Sequence, residues 1–450
     1  MDDASGKLCV ATWISPESET SSSKNHTRRR LVGSPKITRS FTSLRQMAID
    51  YLRSLQDKEI GDQMTTAAIT SWDISKFERG AAPPFFEMVI SSTLRTLASA
   101  NVAPSMIDGL ITIQSNFAGA AFNVTLAEVL GIHPTYSLDV TTYGASPGFA
   151  LWQAKMAIET KQAKRVLIVG GDLTYQEMRR QSQRRPPSIA ILDEFELPYG
   201  SHMANSNYAM IAEAHRKLYG TTDEMRAKVV IDQRKSAIEN ENAIFREPIN
   251  TEDVLKSRVV SSPLHLLECV PTASGASSVL VTDLNEADDL AIGDPVLVEG
   301  FGFQQSGFTL ANATLLKNGL ISGVANAGKR AFEMAGVRVN EVDIFGVYDC
   351  YPIAVMIALE DLGVVPKGEV GPWVLENDLT VDGKVPVNTS GGQLCCGQIG
   401  DAGGMVNLIE VVEMLSKPND IGRDYEVGLV TSNGGPAMSC ESVVVLKVHR

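Results

Sequence analysis

Few side chains in this 450-residue chain stand in patterns that do chemistry. Of the six cysteines, Cys395 and Cys396 are adjacent and the rest are scattered, with no Cys-x-x-Cys pair. The usual zinc spacing is therefore missing, and no metal is expected. Adjacent side chains diverge, so Cys395 and Cys396 read first as small buried hydrophobes and only second as reactive or ligating thiols. Ser146 sits in Gly144-Ala-Ser-Pro-Gly148 with no histidine beside it to activate it. His202, His215 and His265 fit no catalytic pattern; His215 is expected on a polar helix face and His265 in an apolar, strand-like run. Arg179, Arg180, Arg184 and Arg185 form a basic loop ahead of Pro186-Pro187. Guanidinium forks suit phosphate oxygens, and a solvated loop is the alternative. Two glycine-bearing turns, Asn388-Thr-Ser-Gly391-Gly392 and Asn433-Gly434-Gly435, let a backbone approach a ligand closely.

These residues must be positioned by elements, and the pattern of elements is an alternation. Thr66–Thr70 reads as a short buried strand and Phe85–Ala100 as an amphipathic helix. Gly109–Ile113 reads as a strand, Val124–Leu130 and Ala150–Thr160 as helices, and Arg165–Gly171 as a strand running into glycines. Helix, strand, a helix closing on Leu-Gly, a glycine turn into a long helix, and a strand meeting glycines then recur in the same order about 235 residues later. The halves span 66–300 and 301–450. Between the duplicated cores lies a polar excursion, about 174–270, with helices expected over Ser206–Tyr219 and Asp223–Asn240. Residues 1–65 read as an appended segment, Ser/Thr-rich and then weakly helical. Hydrophobic residues are 44% and charged residues 21%, which excludes collagen, coiled coil and wholesale disorder. The net charge of −13 opposes a body-wide nucleic-acid footprint. No run of about 18 apolar residues occurs, so no membrane-spanning helix is expected. Asp2, Asp3 and Lys7 stand where a secretory leader needs an apolar core. A reducing interior is the expected location: cytoplasm, with peroxisome and mitochondrion as alternatives.

Over 66–450 the chain resembles the thiolase superfamily, nearest its sterol-carrier/lipid-transfer branch. Four segments carry the resemblance: Tyr208-Ala-Met-Ile-Ala through His215-Arg-Lys-Leu-Tyr-Gly-Thr-Thr; Pro263-Leu-His-Leu-Leu-Glu-Cys with Ser274-Gly-Ala-Ser-Ser-Val-Leu-Val-Thr; Tyr348-Asp-Cys-Tyr with Ala358-Leu-Glu-Asp-Leu-Gly; and Val387-Asn-Thr-Ser-Gly-Gly-Gln-Leu-Cys. The resemblance implies a five-layered α/β/α/β/α duplication with an inserted loop domain. It implies coenzyme A as part of an acyl-CoA substrate, a homodimer, and a small OB-fold/zinc-ribbon acyl-CoA-binding partner.

The residues depart from the family at the sites of chemistry. The nucleophilic-cysteine position falls on Gly144. The Gly-His-Pro turn reads Gly397-Gln398-Ile399, and glutamine donates a hydrogen bond but is no base near neutral pH. The late Cys-x-Gly is replaced by Thr431-Ser-Asn-Gly-Gly435, with Cys440 reading as a core residue of the last strand. Ordinary thiolysis is not expected. Tyr348, opening Tyr348-Asp-Cys-Tyr351, resembles the steroid side-chain aldolases of the branch, which cleave β-hydroxyacyl-CoA by retro-aldol chemistry. In that reading Tyr348 is the acid/base, and Gln398 with the amides of Gly391, Gly392, Gly434 and Gly435 holds the enolate oxygen, while Arg179, Arg180, Arg184 and Arg185 meet the coenzyme. The alternatives are a non-catalytic acyl-CoA-binding or scaffold subunit, and acyl transfer through Ser146.

Overall fold

The computed structural model describes residues 65–115, 117–175, 190–201, 204–307, 313–417 and 424–450. The appended segment, His202 and the four arginines at 179–185 lie outside these.

Nine strands carry the core: β1 (Ala67–Ile74), β2 (Gly109–Ile113), β3 (Tyr136–Val140), β4 (Arg165–Asp172), β5 (Gly275–Asp283), β6 (Val296–Gln305), β7 (Ile344–Gly346), β8 (Val427–Gly434) and β9 (Cys440–Val448). β2 and β8 are buried throughout, which explains their unbroken runs of apolar and small residues. A sheet covered on both faces needs no polar alternation. The strand order is β3-β2-β4-β5-β1-β6-β9-β8-β7. The duplication is visible in this order. β2 runs parallel to β4, which is antiparallel to β5, itself antiparallel to β1. β7 runs parallel to β8, which is antiparallel to β9, itself antiparallel to β6. The place beside β7 that corresponds to β3 holds a single parallel bridge, Phe345 to Val387. The two repeats join where β1 meets β6, a strand that straddles the expected boundary at 300, through the pairs Ala68 with Leu297 and Ile69 with Val296.

The helices complete the layers: α1 (Phe85–Ser99), α2 (Phe122–Leu130), α3 (Ser146–Glu159), α4 (Ala204–Tyr219), α5 (Asp223–Ser236), α6 (Gly323–Ala335), α7 (Pro352–Asp361), α8 (Gly392–Cys396) and α9 (Met405–Ser416). α1 covers the first half's strands on one side and α6 covers β6 and β9 on the other. α3 and α9 pack against strands of both halves and form the shared middle layer. That is the five-layered α/β/α/β/α arrangement. Small residues make the middle layer tight: a Cβ at Gly148 would meet Ser442 Oγ at 2.4 Å.

The excursion helices pack on the second half, α4 against α7 and α5 against both α7 and α8. Thr222 caps α5 by accepting the Met225 amide. Fully buried Arg226 reaches Glu268 Oε1 at 2.7 Å, Asp223 Oδ1 at 2.8 Å and the Pro263 carbonyl at 3.1 Å. His215 corrects an expectation. It is fully buried, with Nδ1 2.6 Å from Thr221 Oγ1 and Nε2 3.4 Å from Glu360 Oε2. The α4 face that reads polar in isolation is covered by α7, where ionic partners satisfy it.

Candidate active site around Tyr348

Tyr348 leaves the end of β7 and is held from several sides. Its amide donates to Thr431 Oγ1 on β8 at 3.0 Å. The preceding Val347 is clamped by Asn388, whose Oδ1 accepts the Val347 amide at 2.7 Å while its Nδ2 donates to the Val347 carbonyl. Asn388 itself has φ +52°, a left-handed conformation that asparagine tolerates better than most residues. The following Asp349 is fully buried. Its carboxylate accepts from Gln233 Nε2, the Gln393 and Leu394 amides, and Asn407 Nδ2, all at 2.9–3.1 Å. Burial still pushes it up to about 6. Asp349 thus joins α5, α8 and α9 to the loop that carries the tyrosine.

The phenol lies where a side chain at position 144 would begin. A Cβ on Gly144 would stand 2.4 Å from Tyr348 Oη and 2.2 Å from the Asn433 carbonyl oxygen. The β8 end is equally close: a Cβ on Gly434 would meet the Gly144 amide nitrogen and the Thr142 carbonyl at 2.7 Å. Glycine at 144 is therefore the condition for the phenol's position. Gln398 completes the contact, its Nε2 donating to Tyr348 Oη at 2.8 Å. Its backbone is pinned independently, the amide to the Pro271 carbonyl and the carbonyl to the Ala273 amide. Because Oη accepts from Gln398, the phenol's own hydrogen is free to be donated elsewhere. Burial, then the nearby Cys350, Asp401 and Asp349, push the phenol well above its usual range, so it is neutral at physiological pH.

Two groups beside Tyr348 were not legible as site residues. Tyr208, from α4, is buried; its Oη accepts from Asn433 Nδ2 at 2.9 Å and its ring stacks on Tyr351 at 4.4 Å. Asp401 lies in the short turn Gly400–Ala402, between Gln398 and Gly404, and is pushed up to about 7 by burial and by Asp172. The signal for Asp401 was an acid inside the glycine-rich run Gly400-Asp-Ala-Gly-Gly404, where no strand or helix period asks for one.

The other expected residues separate. Gly434 sits against the Gly144 turn, and Gly435 after it has φ +83°. Gly391 and Gly392 also need glycine, at φ +97° and +58°, but a Cβ at 392 would strike the Asp349 carboxylate at 2.3 Å. The amides that follow are held by Asp349, so this turn serves the tyrosine's support. Ser146 Oγ accepts the Thr142 amide at 3.1 Å and closes its own turn. All five described cysteines are free. Burial pushes Cys269, Cys350 and Cys395 up to about 12, Cys440 to about 11, and Cys396 well above 9. A thiolate nucleophile requires the opposite shift. Among the described residues no three His, Cys, Asp or Glu side chains are grouped to hold a metal ion. Arg79 and Arg234 flank the Phe245 ring at 5.5 and 4.8 Å, and the Phe245 amide bonds the Cys395 carbonyl, three residues before Gln398.

With this geometry in hand, comparison with known proteins is specific. Residues 310–448 match the family model described as thiolase C-terminal domain-like. An acetyl-CoA acetyltransferase of Methanothermobacter thermautotrophicus is 30% identical over 378 residues, covering 81% of this chain and 92% of that protein. A steroid side-chain-cleaving aldolase of Thermomonospora curvata is 27% identical over 369 residues, covering 79% and 93%. Among solved structures, the Ltp2-ChsH2(DUF35) aldolase superposes with a TM-score of 0.75 at 26% identity, over 86% of this chain and 98% of that one. The chain belongs to the thiolase superfamily, and sterol carrier protein 2 and the steroid side-chain-cleaving aldolases are among its relatives.

Proposed function

We propose that this protein cleaves a carbon–carbon bond of an acyl-CoA by retro-aldol chemistry, without a covalent acyl-enzyme. One observation carries the reading: a neutral phenol, oriented by Gln398, occupies the space that an attacking side chain at Gly144 would need. Nucleophilic acyl transfer requires a group there that this chain lacks. Enolate chemistry requires donors to the thioester oxygen instead, and Tyr348 Oη–H with the second Nε2 hydrogen of Gln398 supplies two. Tyr348 then acts as donor rather than as base, since its raised proton affinity keeps the proton on the phenol. Exposed Arg79 is a described cation suited to the coenzyme's phosphates, and the loop arginines at 179–185 extend the same role.

The name of the solved aldolase joins two components, Ltp2 and ChsH2(DUF35). A small OB-fold/zinc-ribbon partner is accordingly part of the proposal, as is a homodimer through the β3 edge. The test is product analysis of a β-hydroxyacyl-CoA incubated with the chain, with and without a candidate partner. Wild type is expected to release a carbonyl compound and a shortened acyl-CoA, and Tyr348→Phe to lose about 10²–10³-fold in rate. Equal rates overturn the role of Tyr348. Binding of CoA esters by calorimetry with no turnover in either arrangement favours the scaffold reading.

A further inference from the structure

A retro-aldol cleavage needs a group that takes the β-hydroxyl proton, and neither donor to the thioester oxygen does so. Tyr348 keeps its own proton, and glutamine binds none near neutral pH. The described cysteines also hold theirs. What remains beside the phenol is a carboxylate.

Asp401 is placed by three contacts of its own segment. Gln398, three residues before it, bonds the Tyr348 hydroxyl. Gly404, three residues after it, lies against the Tyr348 ring, a Cβ there meeting Cδ2 at 3.3 Å. The turn itself packs on the segment Tyr143–Ala145, which contains Gly144. Asp401 is therefore bracketed on both sides by residues that touch the phenol. Asp401 is half-buried as a residue, and the burial of its carboxyl, with Asp172 nearby, pushes it up to about 7. The neighbouring acid is different. Asp172, at the end of β4, accepts from Ser115 Oγ at 2.9 Å and Thr174 Oγ1 at 2.7 Å, and a Cβ on Gly400 would meet its Oδ2 at 2.7 Å. Of these two nearby acids, Asp172 is held by two hydroxyl donors, and Asp401 is the one whose proton affinity burial and its acidic neighbour raise.

We infer that Asp401 is the proton acceptor for the β-hydroxyl of the acyl-CoA substrate, acting beside the Tyr348–Gln398 donor pair. This rests on the retro-aldol reading above and names its missing base. The O–H proton passes to the Asp401 carboxylate. The O–H bonding pair becomes the second bond of a new carbonyl, the Cα–Cβ bond breaks, and its electron pair moves into the thioester as an enolate. Tyr348 and Gln398 hold the enolate oxygen, and Asp401 returns the proton to Cα. The products are an aldehyde or ketone and the shortened acyl-CoA, and the step needs no oxidant or reductant.

Asp401→Asn, Asp401→Glu and wild type are compared for cleavage of a β-hydroxyacyl-CoA from pH 5 to 9, with calorimetric binding of the saturated acyl-CoA alongside. The groups facing Asp401 are Asp172 from β4, Tyr143 from the adjoining turn, and Tyr348; the first turn of α3 adds no acid. Wild-type kcat/KM is expected to rise with pH through about 7. Asp401→Asn is expected to lose about 10²–10⁴-fold and the rising limb, with binding within about twofold, and Asp401→Glu to regain part of both. A wild type that cleaves with a flat profile, or an Asp401→Asn enzyme that keeps the rate and the limb, overturns Asp401 and leaves the retro-aldol reading standing. A wild type that cleaves nothing overturns both.

Discussion

Replacing Gly144 by alanine places one methyl group where two others already press. Its carbon would lie 2.2 Å from the Asn433 carbonyl oxygen and 2.4 Å from Tyr348 Oη, more than 0.5 Å inside the 3.0 Å that real contacts respect. The carbonyl cannot yield cheaply, because Asn433 is paired with Glu441 in the β8–β9 ladder. The phenol can yield, and in moving it breaks the 2.8 Å bond to Gln398. Overpacking of a dense interior costs about 1–3 kcal/mol, and the backbone clash puts this substitution at the upper end, near 3. Tyr348→Phe removes the 2.4 Å collision with Oη and leaves the ring Cζ at 2.8 Å. The double variant Gly144→Ala/Tyr348→Phe is therefore expected to be more stable than the two single losses added together, with coupling of about 1 kcal/mol. Guanidinium denaturation of the four proteins measures the cycle. An alanine variant as stable as wild type, or losses that add to within about 0.3 kcal/mol, refutes the placement of the phenol over Gly144.

Further expectations follow from the surrounding network. Gly144→Cys is expected to gain no thiolytic activity in a CoA-dependent assay, since the clash is at Cβ and a thiol only extends it. Burial pushes Glu410 up to about 7 from its ordinary 4.5. The folded chain thus keeps a proton that the unfolded chain has released between pH 4.5 and 7, so that stabilisation is full below 4.5 and lost as pH rises through about 7. It amounts to about 3 kcal/mol. Glu410→Gln should lack this decline in denaturation measured across the window, and parallel curves would contradict the assignment. Removing Glu268 from the fully buried Arg226 is expected to cost about 3–5 kcal/mol. Arg226→Met/Glu268→Gln should cost less than Glu268→Gln alone, as read by thermal unfolding.

The duplicated order of elements was readable because both halves repeat the same strand directions and the same glycine turns. Tyr348 and Gln398 were readable because each stands in a short motif, and the structure joins them by one hydrogen bond. Other residues could not be placed without the third dimension. Tyr208 lies in the excursion, and only the packing of α4 on α7 brings its ring onto Tyr351. Asp401 is an acid among glycines, and its chemistry depends on which turn it rests against. The Gly391–Gly392 turn has the glycines of a ligand cradle, but the amides beyond it meet Asp349, an acid of the chain itself. The polar pattern of α4 placed His215 outward, and an ionic network placed it inside.

The central claim is carbon–carbon cleavage without a covalent intermediate. Intact-protein mass spectrometry during turnover of a β-hydroxyacyl-CoA, with products quantified in the same samples, tests it most directly. The prediction is equal amounts of carbonyl product and shortened acyl-CoA, with the protein mass unchanged throughout. An acyl adduct on Ser146 or any cysteine, or cleavage that requires added coenzyme A, would contradict it.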